Sequence, residues 1–176
     1  MESDYIKHVR YYHLGQVYAN KINAPPKEHQ TMKAPWSFLM WGVDVIGPIS
    51  PKALNGHRFI LVASDYFTKW TEELSFANVT KEVVVRFIKR DIIAWYGTPE
   101  TIITDNGINL NNKSVEELCQ QFRTKHQNST LYQPQMNGVV EVANKNIKRI
   151  IEKMAITYKD WHEMLPFALM TYRTSL

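Results

Sequence analysis

Three carboxylates stand where chemistry is the easiest explanation for them. Asp44 lies inside the apolar run Trp41-Gly42-Val43-Asp44-Val45-Ile46. Asp105 closes the β-branched run Thr101-Ile102-Ile103-Thr104 and opens an Asp-Asn-Gly turn signal. Glu141 follows Gly138-Val139-Val140 at the head of a helical pattern. A carboxylate inside an apolar strand is costly to bury unless something compensates its charge, and a shared divalent cation would do so. Hard oxygen donors suit Mg²⁺, and two such ions about 3.5–4 Å apart are suited to phosphodiester cleavage or transfer. Each acid also has a plainer reading. Asp105 could be a turn former, and Glu141 a first-turn acid favoured by the helix dipole; Asp44 is the hardest to explain away. Asp65, which ends another apolar run before Tyr66-Phe67-Thr68, reads as a structural turn residue. Lys145 and Lys148 follow Glu141 by one and two turns, as solvated helix charges or as phosphate contacts.

The elements that must position these groups follow from pattern. Phe38–Ile46, His57–Asp65 and Trp70–Phe76 read as three strands joined by short connections, hence an antiparallel meander. Thr80 is a helix N-cap, and Val84, Phe87, Ile88, Ile92 and Trp95 recur at helical spacing until Gly97 and Pro99. A strand at Thr101–Thr104, a helix over about 114–121 and a short strand near 124–127 come next. Asn128 to Asn137 reads as a polar loop. The helix that begins near Val139 carries an apolar stripe of Val139, Ala143, Ile147, Ile150 and Met154, with Glu141, Lys145, Lys148 and Glu152 on roughly the opposite face. A last helix opens at Asp160 with Glu163 as capping box and buries Leu165, Ala168, Leu169 and Tyr172.

Composition narrows the classes. A chain of 176 residues supports one good core. No apolar run approaches the roughly 18 residues of a membrane span, so no membrane partner is expected. The single cysteine, Cys119, excludes an intrachain disulfide and fits a reducing, intracellular setting without secretion. A formal charge of +4 leans toward polyanionic partners without deciding the matter. His8 and His13 lack the cysteines that would complete a zinc site, so no zinc is expected.

Taken together, Trp41-Gly42-Val43-Asp44-Val45-Ile46-Gly47-Pro48, Asp65-Tyr66-Phe67-Thr68-Lys69-Trp70, Tyr96-Gly97-Thr98-Pro99, Thr104-Asp105-Asn106-Gly107 and Tyr132-Gln133-Pro134-Gln135-Met136-Asn137-Gly138 through Glu141 carry a resemblance. The chain resembles the integrase of gypsy-class long-terminal-repeat retrotransposons, of the kind abundant in plants. Thirty-five residues, 106–140, lie between Asp105 and Glu141, the spacing of that family's Asp-Asp-Glu signature. The resemblance implies an α/β, ribonuclease H-like fold, a five-stranded mixed sheet with helices on both faces. It implies DNA 3′-end processing and strand transfer, dependent on Mg²⁺ or Mn²⁺, with two ions held by Asp44, Asp105 and Glu141. Tyr132, Gln135 and Asn137 match the family's mobile loop at the DNA end, and Lys145 and Lys148 match its DNA-contacting lysines. Element ends and target DNA would be the partners, a homo-oligomer the working form, and the nucleus the place of action.

The departures shape the expected organisation. Tyr12 and Gly15 stand where the family's zinc segment carries Cys-x-x-Cys, so residues 1–34 read as a degenerate remnant of that segment and linker. Residues 35–176 read as the catalytic core, ending at Leu176 short of the family's final core helix. The alternative is an inactive nucleic-acid-binding remnant of a decayed element. A ribonuclease H acting on RNA–DNA hybrids shares the fold, but the Tyr132–Gly138 loop and the triad spacing argue against it.

Overall fold

The computed structural model describes residues 36–128 and 134–174, with side chains described outside 134–144 and 171–174. The expected zinc-segment remnant and Tyr132 lie outside the described residues. Alternating apolar residues make strands β1 (Met40–Ile46), β2 (Phe59–Asp65) and β3 (Thr71–Phe76), which form the expected antiparallel meander. β4 (Thr101–Thr104) adds in parallel to β1, and β5 (Lys125–Asn128) adds in parallel to β4. The sheet order is β3-β2-β1-β4-β5. This is a five-stranded mixed sheet of ribonuclease H-like architecture.

Period-two alternation divides the core into two layers. Trp41 and Val43 of β1 and Leu61 and Ala63 of β2 face one way. There they meet Val84 and Phe87 of helix α1 (Lys81–Phe87), and Val115, Leu118 and Cys119 of helix α3 (Lys113–Gln121). The intervening residues Ile46, Ile60 and Val62 face the other way. They pack on Ile147, Ile151 and Ala155 of α4 (Pro134–Thr157) and on Trp161, Leu165 and Leu169 of α5 (Trp161–Thr174). Helices therefore cover both faces, and each burial is the hydrophobic term that holds its helix to the sheet.

Side-chain caps fix where two helices begin. Thr80 accepts a hydrogen bond from the amide of Val83 at 3.4 Å, and Asn112 accepts from Ser114 and Val115 at 3.0 and 3.2 Å. The helix after Thr80 is not the uniform one its spacing suggests. α1 passes into a π-helical segment, Ile88–Ile93, before a last α turn, α2 (Ala94–Tyr96). Each π turn holds more residues than an α turn, so positions beyond it rotate out of phase. Ile88 and Ile92 stay buried, whereas Trp95, expected to continue the stripe, is 77% exposed. The second difference is at α4, which starts at Pro134 rather than near Val139. A proline at the first helical position lacks only an N–H that would have had no intrahelical partner, so a polar stretch that reads as loop can open a helix. Of the predicted α4 stripe, Ile147, Ile150 and Met154 are buried; Val139, Ala143 and, in α5, Tyr172 lie outside the described side chains.

Candidate functional site

Strand pairing sets where two of the three carboxylates lie. In the parallel pair, Val43 stands opposite Thr104. One residue on, Asp44 lies within β1, while Asp105 lies just past the end of β4, beyond the last paired residues. The pleat also gives them a common face. Gly42 pairs with Ile103, and both lie two residues before an aspartate, on the side of Ile46 that α4 covers. Asp44 is half-buried, and its Oδ1 accepts from the amide of Val45 at 2.7 Å. Asp105 is exposed at the turn, where its Oδ1 accepts from the amide of Asn106 at 2.5 Å.

The loop that carries Asp105 is fastened at both ends. The Gly107 carbonyl accepts from the amides of Leu110 and Asn111 at 2.9 and 2.8 Å, and the Leu110 side chain is buried. Asn112 caps α3 with its oxygen while its amide nitrogen donates to the Asn109 carbonyl at 2.8 Å. On the strand side, Thr104 Oγ1 bonds His126 Nε2 at 2.9 Å, which ties β4 to the edge strand β5. Burial lowers the His126 pKa, against an opposing pull from Glu116, so the neutral ring is favoured there.

Glu141 belongs to α4, the helix packed on the face that Asp44 and Asp105 share. Its side chain lies outside the described residues, as do those of Gln135 and Asn137 in the first turns of the same helix. Among the described residues no three His, Cys, Asp or Glu side chains gather closely enough to hold an ion. Lys145 and Lys148 are both exposed on α4. Lys148 Nζ lies 3.8 Å from Glu152 Oε1, four residues on, an exposed pair worth only tenths of a kcal/mol.

Asp65 ends β2 and stands across from Trp41, three residues before Asp44 on β1. It is 1% exposed. Its Oδ1 accepts from the Phe38 amide at 3.0 Å, and its Oδ2 from the Thr68 amide and hydroxyl, both at 2.7 Å. These are the bonds of a carboxylate that closes a turn, in keeping with its sequence context. Sequence reasoning passed over one feature, the basic row Arg86, Lys89 and Arg90 along α1 and the π segment. Its only signal is the i, i+3, i+4 spacing of three cations.

Residues 76–155 match the family described as TnsB C-terminal domain. The chain is 34% identical over 134 residues, 76% of its length, to the Gag-Pol polyprotein of Avian reticuloendotheliosis virus. Over the same share it is 31% identical to the retrovirus-related Pol polyprotein from transposon 412 of Drosophila melanogaster. It is 28% identical over 162 residues, 91% of its length, to the Gag-Pol polyprotein of Feline leukemia virus. These matches support a retroelement integrase-like region. It spans only 12%, 11% and 9% of those three polyproteins. These likenesses support a transposase- or integrase-type role in general terms.

Proposed function

We propose that this chain is the catalytic core of a gypsy-class integrase of the plant type, which trims the 3′ ends of element DNA and joins them to target DNA. The observation that carries the reading is the parallel pairing of β1 with β4 up to Val43 and Thr104, the residues just before Asp44 and Asp105, on the sheet packed by the Glu141 helix. The donor set fits the ion such chemistry uses. Carboxylates offer hard oxygens, half-buried at Asp44 and open to solvent at Asp105, which suits Mg²⁺ or Mn²⁺. Asp44, Asp105 and Glu141 would hold the two ions. A divalent cation bound there supplies charge stabilisation at the attacking and leaving oxygens of a phosphodiester.

The chain's own residues do the positioning. The β1–β4 ladder fixes the Asp44 backbone, and the Gly107–Asn112 bonds limit how far the Asp105 turn can move. Tyr132, Gln135 and Asn137 would contact the DNA end, while Lys145 and Lys148 would meet its phosphates as point charges with little sequence preference. A homo-oligomer acting in the nucleus completes the reading.

The test is a disintegration assay on a branched DNA substrate with Mg²⁺ or Mn²⁺. Joining should require the metal and should vanish in Asp44→Asn and in Asp105→Asn. Metal-independent turnover, or full activity in either variant, would overturn the assignment.

A further inference from the structure

On the sheet face away from α4, an open groove of about 510 Å³ runs between α1 and α3, lined by Glu82, Val85, Arg86, Lys89, Arg90 and Ser114. Three of those six side chains are cationic. Arg86, Lys89 and Arg90 sit at i, i+3 and i+4, a spacing at which like charges repel. Little offsets that repulsion internally. Arg90 Nε lies 3.0 Å from Asp91 Oδ1, and Glu82 reaches Lys81 at 3.9 Å. Among the described residues neither Arg86 nor Lys89 has an ion-pair partner. A row of exposed cations over the apolar Val85 is complementary to an anionic chain.

Topology says which anionic chain. β1 and β4 both end at the carboxylate edge of the sheet; β3, antiparallel to β2, ends there too and feeds α1. The Asp105 loop leads from that same edge into α3, whose second residue, Ser114, lines the groove. The groove thus starts beside the loop that carries Asp105 and descends the opposite face.

We propose that the α1–α3 groove is a second polynucleotide site, binding the backbone of a single strand that leaves the Asp44–Asp105 edge over the Asn106–Asn112 loop. This rests on the reading of the chain as acting on DNA. The groove holds the strand through Arg86 and Lys89, with Arg90 shared between the strand and Asp91. It reads phosphate and not base, and so carries no sequence preference.

The test measures binding of a fluorescein-labelled single-stranded 20-mer to the full chain across a salt series in EDTA, with wild type and the Arg86→Gln/Lys89→Gln pair. Two lost contacts should make the slope of log K against log salt shallower by about 1.4, and weaken binding roughly 25-fold at 0.1 M salt. Circular dichroism checks that the variant is folded, and Arg86→Lys/Lys89→Arg should restore the slope. If wild type binds with a steep slope and the glutamine pair matches it, the groove proposal fails while the DNA reading stands. If wild type binds no DNA at all, both fail. If polyglutamate binds wild type but not the glutamine pair, and the DNA slope is the same in both, the groove takes an acidic protein and the proposal is wrong.

Discussion

Asp65 and Asp105 make a controlled comparison, because both are aspartates that end a strand and only one is read as a metal ligand. Asp65→Ala removes three acceptor contacts, of 3.0, 2.7 and 2.7 Å, from a carboxylate that is 1% exposed. Hydrogen bonds to a charged group are worth roughly 1.5–3 kcal/mol each, and donors left buried add their own penalty. The Phe38 and Thr68 donors are only partly buried, and water reaching them would recover much of that sum. The expected loss is therefore about 3 kcal/mol. With a urea m-value of about 2 kcal/mol/M, the unfolding midpoint should fall by about 1.5 M at unchanged m. Asp65→Asn should lose about half as much, since one oxygen remains while an amide N–H₂ now faces donors. Metal-dependent joining by the folded fraction should survive both changes, because Asp65 stands opposite Trp41, three residues before Asp44 on β1 and so on the other face of the sheet. An Asp65→Ala variant within about 0.5 kcal/mol of wild type, or one that abolishes joining in protein that is still folded, would refute the structural role of Asp65.

Asp105→Asn should leave the unfolding free energy within about 0.5 kcal/mol of wild type, because the residue is exposed, while metal-dependent joining disappears. Lys145→Ala/Lys148→Ala should weaken binding to unrelated DNA sequences by a similar factor and flatten the salt slope by up to about 1.8, and an unchanged slope would reduce the pair to solvated helix charges. Burial lowers the His57 pKa, with the nearby His162 adding to the effect. The folded chain thus disfavours the proton that the unfolded chain accepts near pH 6.5; stability is fully present above that pH and is lost as pH falls toward the lower folded value. Urea midpoints from pH 7.5 to 5 should show that loss, and His57→Gln should reduce it; an identical pH profile in the variant would exclude His57 as its source.

Much of this protein is local, and the sequence by itself determines it. The meander follows from period-two runs broken by Gly47-Pro48 and Asn55-Gly56. The α1 start follows from Thr80, and the burial of Val84, Phe87, Ile88 and Ile92 from their spacing. Asp44 stands out because a charge inside an apolar strand conflicts with the energetics of burial. Other features depend on partners distant in the chain. That β1, which carries Asp44, lies beside β4, which leads into Asp105, is a consequence of parallel pairing between strands more than fifty residues apart, which no local pattern specifies. That Asp65 closes a turn depends on the Phe38 amide, twenty-seven residues away. The exposure of Trp95 depends on a π segment that rotates the helix out of its own periodicity, and no single residue type announces that. The α1–α3 groove exists only because two helices from different parts of the chain pack on one sheet face. Sequence sets the charges and the elements; the pairing of distant strands decides which of those charges share a site.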